Sequence, residues 1–286
     1  MTATSRVVVL GASGFVDGAL VRLLEAERQP CRAIGASEID LTAPSAVSRL
    51  AAILQPADAL VMCSALTPEH GRDRATFLKN LAMADHVCAA IAQSPCAYVV
   101  YISSDAVYRP TADPVSERSC CETDDFYGLA HLVREKMLAA AHRPTIILRP
   151  AAIYGATDTH NAYGLNRFVR SALATGKIAL FGNGEEYRDH ISIDDLVRII
   201  HLCLRHRPTG ILNAVTGVST SFREIAEIIV DALAGAPVID SQPRQVPIVH
   251  RSYNNEALRA AFPEFRPMPL ETGIQKMIAA LKPPNS

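Results

Sequence analysis

The amino-acid sequence predicts an α/β fold, in which a doubly wound parallel sheet is followed by a smaller C-terminal lobe. Three observations support this prediction. The apolar run 6–10 leads through a glycine turn straight into an amphipathic helix, as the first strand of such a sheet does. Apolar strands and helices then alternate as far as Pro150. After Tyr154 this alternation stops, as we expect where a second lobe begins.

The composition is that of an ordinary globular protein, with 286 residues, 49% of them hydrophobic and 20% charged. A formal net charge of −1 gives no reason to expect a nucleic acid or a membrane surface as a partner. No apolar run approaches the length of a membrane span, and the run 7–10 is too short for a signal-peptide core. The seven cysteines form no C-x-x-C pair, and the histidines show no metal-ligand spacing. We therefore expect a cytoplasmic protein with reduced cysteines and no metal site.

The turn after the first strand predicts a phosphate cradle. Unpaired N–H groups at a helix N-terminus and the helix dipole both attract an anion. Asp17 places a carboxylate in the first helical turn, where it either suits the dipole or repels a bound phosphate. The residues predicted to contact the ligand in this turn are Gly11, Ser13, Gly14, Phe15 and Val16.

A second candidate site follows the strand predicted over residues 98–102. Ser104 comes just after this strand, at the edge where open α/β sheets bind their ligands. Tyr127 begins a helix in which His131, four residues later, lies on the same face. The apolar side of this helix is predicted to contain Leu129, Leu132, Val133 and Met137. A hydroxyl facing a phenol with a titratable neighbour suits acid–base chemistry on an alcohol or a carbonyl.

These residues resemble a known family. A strand-end serine with a Tyr-x-x-x-Lys helix is the catalytic signature of the short-chain dehydrogenase/reductases. The stretch Tyr-Ile-Ser-Ser-Asp-Ala-Val-Tyr resembles their extended branch, the NAD-dependent epimerase/dehydratase family, which acts on nucleotide sugars. The resemblance implies a Rossmann fold, NAD or NADP as cofactor, and Ser104, Asp105, Tyr127 and His131 as the catalytic group. Ser104 would then hydrogen-bond the substrate oxygen, and Tyr127 would exchange its proton.

The resemblance also implies further cofactor contacts beyond the glycine turn. They are Ser37, Asp40, Leu41, Ser64, Ala65, Asn80, Tyr127, His131 and Pro150. The second strand ends at Ser37 without the acid that holds the ribose of NAD, so the choice between NAD and NADP stays open.

The smaller lobe resembles the family's substrate-binding part. By this resemblance Asn166, Arg188 and Arg251 would contact the nucleotide sugar, and an arginine fork is well suited to its diphosphate. The predicted domains are a dinucleotide-binding domain over 1–155, to which 190–215 returns, and a substrate lobe over 156–189 and 216–286. The family also implies a homodimer that pairs through the helices around Asn80 and Tyr127.

Three departures from the family pattern affect cofactor handling. Asp17 replaces the third glycine, His131 replaces the lysine, and Ser37 stands where an acid is common. A histidine of ordinary pKa is only partly protonated at neutral pH, so Tyr127 would lose most of the charge that lowers its pKa. A phenol of high pKa is a poor base but can still donate a proton, which favours reduction of a keto-sugar over oxidation of an alcohol.

Two functional hypotheses remain open at this stage. The first is an NAD(P)-dependent oxidoreductase or epimerase acting on a nucleotide-linked sugar, with 4-keto-sugar reduction slightly preferred. The segment 39–42 resembles that of the family's 4-keto-sugar reductases, and Ala106 replaces the glutamate that its dehydratases use. The second is a catalytically impaired relative that binds a nucleotide as a regulatory or scaffold protein. Asp17 and His131 favour the second hypothesis, whereas Ser104, Tyr127 and Arg188 favour the first.

Overall fold

The computed structural model describes residues 6–11, 14–109, 114–158, 164–244 and 247–282. The chain divides into two compact units. The first unit comprises Met1–Arg109, Ser119–Pro150 and Val197–Asn213, and the second comprises Pro110–Arg118, Ala151–Leu196 and Ala214–Ser286.

The strands and helices are numbered in chain order. The strands are β1 (Val7–Leu10), β2 (Cys31–Ile34), β3 (Ala59–Met62), β4 (Tyr98–Ile102), β5 (Thr145–Pro150), β6 (Ala152–Tyr154), β7 (Lys177–Phe181), β8 (Tyr187–Ser192), β9 (Gly210–Ala214), β10 (Ser219–Ser221) and β11 (Val238–Gln242). The helices are α1 (Phe15–Ala26), α2 (Ala46–Ile53), α3 (Arg74–Gln93), α4 (Phe126–Ala139), α5 (Gly164–Thr175), α6 (Ile193–His206), α7 (Phe222–Ala232), α8 (Glu256–Ala261) and α9 (Leu270–Leu281).

The first unit is built on a six-stranded sheet in the order β2-β1-β3-β4-β5-β9. Its strands from β2 to β5 run parallel to their neighbours. Successive side chains of a strand point to opposite faces, and both Val8 and Val9 are fully buried, so the sheet is covered on both sides. This architecture confirms the predicted α/β fold with a Rossmann-type parallel sheet. It also explains why the sequences of these strands are continuous apolar runs.

The α4 helix differs from its prediction in the face that it buries. The predicted apolar side contains Leu129, yet Leu129 is exposed. The buried side instead contains Ala130, His131, Arg134, Glu135 and Leu138. Here hydrogen bonds and an ion pair to the sheet orient the helix, and these polar contacts override the leucine periodicity.

The second unit contains two small sheets. One has the order β10-β8-β6 and the other pairs β11 with β7. Its apolar core joins α5, α7 and α9 through Val169, Ile225 and Ile274. The α7 helix, predicted over 221–233, begins with a capping box in which Ser221 and Glu224 each accept a backbone hydrogen bond from the other residue.

Within the described ranges, no helix is long and apolar enough to span a lipid bilayer.

Candidate functional site

Ser104 and Tyr127 come together where β4 ends and α4 begins. The Oγ of Ser104 accepts a hydrogen bond from the Ala106 N–H at 3.1 Å, which fixes the turn after β4. The Asp125 carboxylate caps α4 by accepting the Gly128 N–H at 2.7 Å. A side chain at Gly128 would collide with the Ala106 carbonyl oxygen, so this glycine lets the helix approach the turn. The Ser104 hydroxyl thereby comes near enough to Tyr127 to lower the pKa of the phenol.

The Tyr127 phenol is protonated at neutral pH. Burial raises the pKa of Tyr127 to about 12, while the nearby Ser104 hydroxyl acts in the opposite direction. The Asp105 carboxylate raises this pKa further, and the Arg134 guanidinium lowers it. The phenol can therefore donate a proton but is a weak base near pH 7.

His131 lies on the same helical face as Tyr127 but does not carry the charge of the lysine that it replaces. Its Nδ1 lies 2.7 Å from the Tyr101 hydroxyl, and its ring packs edge-on against Tyr127 with centroids 4.6 Å apart. Burial, with a smaller contribution from Arg134, holds the pKa of His131 well below its usual range. The expectation of partial protonation at neutral pH is therefore wrong, because it assumed an ordinary pKa. Its Nε2 is buried and has no hydrogen-bond partner among the described residues.

Arg134 is a functional candidate that the sequence reasoning missed. Its side chain is fully buried, with one Nη donating to the Ser64 carbonyl oxygen and the other to Asn80 Oδ1 at 3.2 Å. Its guanidinium carbon lies 5.1 Å from the centroid of the Tyr101 ring. The available signal was its spacing, seven residues after Tyr127 and three after His131, which places all three on one face of α4.

Asn80 shapes the turn that follows β3. Its Oδ1 accepts the Leu66 N–H at 2.9 Å and its Nδ2 donates to the Leu66 carbonyl at 2.9 Å. The Ser64 Oγ in this turn is buried and lacks a hydrogen-bond partner within the described part of the chain. Ala65, between Ser64 and Leu66, is half-buried. The predicted cofactor contacts of these residues stay a prediction.

The glycine turn after β1 partly fits a dinucleotide. Gly11 has a φ of +111°, and an added Cβ would lie 3.1 Å from Ser64 Oγ, so only glycine suits this close approach. Asp17 accepts the Gly14 N–H at 3.0 Å and is buried, which raises the pKa of its carboxyl. One N–H of the cradle is thus already bonded, to this acid and to the Gly11 carbonyl oxygen at 3.0 Å. Ser13 lies outside the described residues, and Phe15 and Val16 are half-buried in the first turn of α1.

The remaining predicted cofactor residues lie near other strand ends of the first unit. Ser37 is exposed beyond β2, and the adjacent Glu38 pairs with Arg32. The Asp40 carboxylate accepts the Thr42 N–H at 2.9 Å and its hydroxyl at 2.7 Å, and both bonds lower the pKa of Asp40. Leu41 and Pro150 are both buried, and Leu41 packs in the apolar core of the first unit. The pairing of Glu38 with Arg32 leaves the choice between NAD and NADP open.

Two buried polar atoms of the site that lack a hydrogen-bond partner among the described residues fit the ribose side of a nicotinamide dinucleotide. The partnerless Ser64 Oγ and His131 Nε2 are the kind of buried polar atoms that ribose hydroxyls satisfy. On the diphosphate side the fit is less complete, because Asp17 holds the Gly14 N–H.

A buried ion pair anchors α4 to the sheet. The Arg149 side chain at the end of β5 donates to both oxygens of Glu135, at 2.8 and 2.5 Å. Ser103 Oγ donates to the same carboxylate at 2.5 Å. This cluster fixes the position of α4 relative to the end of β4, and with it the position of Tyr127 two turns earlier in the helix.

The predicted substrate residues lie in the second unit. The Arg188 guanidinium pairs with Glu186 and donates to the carbonyl oxygens of Tyr187 and Val249. The Arg251 N–H donates to the Tyr187 carbonyl at 3.0 Å, which brings the two arginine positions close together.

Asn166 is fully buried at the start of α5. Its Nδ2 donates to Asp158 at 2.7 Å and to the Ile153 carbonyl at 3.4 Å, and its Oδ1 accepts the Gly155 N–H at 3.1 Å. Both amide donors are used, so only one lone pair of Oδ1 is left for a ligand. Its substrate contact stays a prediction.

Comparison with known proteins agrees with this geometry. The model of the NAD dependent epimerase/dehydratase family matches residues 7–214. The chain belongs to this family. Its membership confirms the resemblance predicted from Ser104 and Tyr127, to a family named for its dependence on NAD.

The individual proteins that resemble this chain are distant from it in sequence. The dTDP-4-dehydro-6-deoxy-D-allose reductase of Streptomyces bikiniensis is 26% identical over an alignment of 313 positions, gaps included, that covers 94% of each chain. The structure of MoeE5 in complex with UDP-glucose and NAD has a TM-score of 0.83 at 20% identity, covering 96% of this chain and 98% of that one. The structure of RMD from Pseudomonas aeruginosa complexed with NADPH has a TM-score of 0.83 at 22% identity, with the same coverage. Both likenesses show the fold.

Proposed function

We propose that this protein is an NAD(P)-dependent oxidoreductase that reduces a nucleotide-linked keto-sugar, with a 4-keto-sugar as the preferred substrate. The observation that carries the proposal is a protonated Tyr127 beside the Ser104 hydroxyl at the carboxyl edge of the sheet. The 26% identity to a dTDP-4-dehydro-6-deoxy-D-allose reductase over most of both chains supports the same reaction type.

Ser104 and Tyr127 would activate the substrate carbonyl together. The dinucleotide, when bound, supplies the hydride that reduces the carbonyl carbon and is itself oxidised. The hydroxyls of Ser104 and Tyr127 would hydrogen-bond the carbonyl oxygen, and Tyr127 would give it a proton as it becomes an alcohol. An alkoxide is far more basic than a phenolate, so donation from a phenol of pKa about 12 is favourable.

An epimerase is less well supported by the same group. Epimerisation through a keto intermediate begins with oxidation of an alcohol, for which Tyr127 would have to act as a base. A phenol whose pKa is raised to about 12, next to Asp105, is poorly suited to that role.

Ser64, Asn80 and His131 would hold the ribose side of the dinucleotide, and the cradle from Gly11 to Val16 would hold its diphosphate. The partnerless Ser64 Oγ and His131 Nε2 support the first assignment. We propose NAD or NADP as alternatives for this chain, since Ser37 offers neither an acid nor an arginine to choose between them.

The second unit would bind the nucleotide-sugar diphosphate through Arg188 and Arg251. The contact of Arg251 with Tyr187, next to Arg188, supports their joint role. Glu186 pairs with Arg188 and would have to share the guanidinium with the ligand. The domain assignment proposed with this role is 1–155 and 190–215 for the dinucleotide, and 156–189 and 216–286 for the substrate. We place the reaction in the cytoplasm, which the seven free cysteines support.

The second candidate is a catalytically impaired relative that acts as a regulatory or scaffold protein, and two observations favour it. Asp17 occupies a cradle N–H, and His131 is neutral. Such a protein would bind a nucleotide in a regulatory or scaffold role but would catalyse no reduction.

The test follows nicotinamide absorbance with a panel of nucleotide-linked 4-keto-sugars and the corresponding alcohols, in both directions. We expect the native chain to be faster in reduction, and Tyr127→Phe to lower turnover between about a hundredfold and ten-thousandfold. Tyr98→Phe is the matched control, because Tyr98 lies at the opposite end of β4 from Ser104 and its hydroxyl donates to the Pro208 carbonyl oxygen. Native-like turnover in Tyr127→Phe would show that another group donates the proton. If the native chain turns over none of these sugars, the result would favour the catalytically impaired relative.

A further inference from the structure

Arg134 is a buried cation without a counter-ion in the described part of the chain. The other fully buried arginine of this region, Arg149, has Glu135 as its partner. Arg134 instead faces neutral acceptors, the Ser64 carbonyl oxygen and the Asn80 side chain, and its Nε has no partner. Burying a guanidinium that is compensated only by dipoles is unfavourable for folding. A charge retained at such a cost points to a role in the site beside it.

A continuous set of ring contacts connects this charge to the catalytic phenol. The Arg134 guanidinium lies over the Tyr101 ring, 5.1 Å from its centroid. The Tyr101 hydroxyl lies 2.7 Å from His131 Nδ1, and the His131 ring packs edge-on against Tyr127 at 4.6 Å. Each member is fixed by a contact on both sides, so the charge has a defined position relative to Tyr127.

The charged groups that face Tyr127 come from three elements. Asp105 in the turn after β4 and Glu69 in the loop after β3 are anionic and oppose ionisation of the phenol. Arg134, two turns along α4, is cationic and favours it. His131 lies nearer in sequence, but it is neutral.

We propose that Arg134 is the positioning residue that supplies the fixed positive charge for Tyr127, while the neutral His131 and Tyr101 hold the phenol in place. The inference rests on the proposed role of Tyr127 as proton donor. It also gives a reason for a neutral residue at position 131, since a second buried cation beside Arg134 would be repelled. The positive charge that the family pattern places at position 131 is here carried by Arg134, while His131 keeps a packing contact with Tyr127.

The experiment measures the ionisation of the phenol directly and needs no substrate. Difluorotyrosine is incorporated in place of Tyr127, which makes the phenol more acidic, and its ionisation is followed by fluorine NMR against pH. Arg134→Gln removes the charge and keeps an amide that can reach the Ser64 carbonyl. We expect the ionisation constant of the phenol to fall about tenfold, as the loss of one cation at an effective dielectric near 20 implies. Arg134→Lys should keep the ionisation close to that of the native chain.

Lys136→Met is the matched control, because it removes a positive charge from the exposed side of the same helix and should leave the phenol unchanged. An unchanged ionisation constant in a folded Arg134→Gln chain would overturn the proposal. If Arg134→Gln does not fold, a folded Arg134→Lys chain with native-like ionisation supports the proposal, and one with a markedly weaker ionisation overturns it. Failure of both variants to fold would show that Arg134 is only a packing residue, which also overturns it. Since the titration is independent of turnover, an absence of catalysis would contradict the proposed function and leave this result intact.

Discussion

At the residue scale, Asp17 is the strongest local departure from a dinucleotide cradle. Its carboxylate accepts the Gly14 N–H at the start of α1, a donor that it shares with the Gly11 carbonyl oxygen and for which a phosphate oxygen would have to compete. Burial raises the pKa of Asp17, so the carboxyl takes up a proton at a higher pH than an exposed aspartate does. The acid therefore both competes for a donor and, when ionised, repels the diphosphate.

We expect Asp17→Gly and Asp17→Asn each to tighten dinucleotide binding by about tenfold, as loss of one like charge implies. Asn keeps a hydrogen-bond acceptor for Gly14, so the difference between the two variants isolates the competition for the N–H. Affinity in the native chain should rise as the pH falls through the raised pKa of Asp17, because the protonated acid no longer repels the diphosphate. Calorimetric titration over a pH series checks this. Equal affinity in the native chain and both variants would mean that the carboxyl does not face the ligand.

At the element scale, α4 is held to the sheet by the pair of Glu135 and Arg149 with Ser103. Removing one partner of a buried ion pair leaves an uncompensated charge. We expect Arg149→Met to lower the free energy of unfolding by about 3–5 kcal/mol, as measured by urea denaturation. The double variant Arg149→Met with Glu135→Leu should recover part of this loss.

Arg109→Met is the matched control for this pair, because Arg109 pairs with Glu122 where both side chains are mostly exposed. It should change the free energy of unfolding by less than about 1 kcal/mol. A similarly small effect of Arg149→Met would contradict the anchoring role of the buried pair.

The sequence predicted the elements of the first unit well, because strands buried on both faces must be apolar throughout. β5 has the predicted bounds, and Ser104 and Tyr127 lie where the strand-end and helix patterns put them. The buried face of α4 could not be read from its leucines, since Arg134 and Glu135 find their partners on distant strands and turns. For the same reason the neutral state of His131 escaped prediction, because burial depends on tertiary packing and not on helical spacing.

At the scale of the whole molecule, we expect a homodimer that pairs through α3 and α4. Leu78 on α3 and Phe126 and Leu129 on α4 are exposed apolar side chains, and the Phe126 ring lies 5.2 Å from that of Phe77. Burial of these side chains against a second copy would be favourable. Sedimentation of Phe126→Glu with Leu129→Glu should therefore show a monomer.

Val218→Glu is the control for the dimer, because Val218 is exposed in the second unit and its replacement should leave the sedimentation of the native chain unchanged. A native chain that sediments as a monomer at micromolar concentration would rule out this pairing.

Calorimetric titration of the native chain with NAD(H) and NADP(H) tests the central claim most directly. The first unit must bind a nicotinamide dinucleotide even though Asp17 occupies the cradle and His131 is neutral. We predict a saturable heat for at least one of these dinucleotides, with an affinity below that of relatives that have the third glycine, and a matching rise in melting temperature. No heat and no thermal shift at millimolar ligand would contradict this claim.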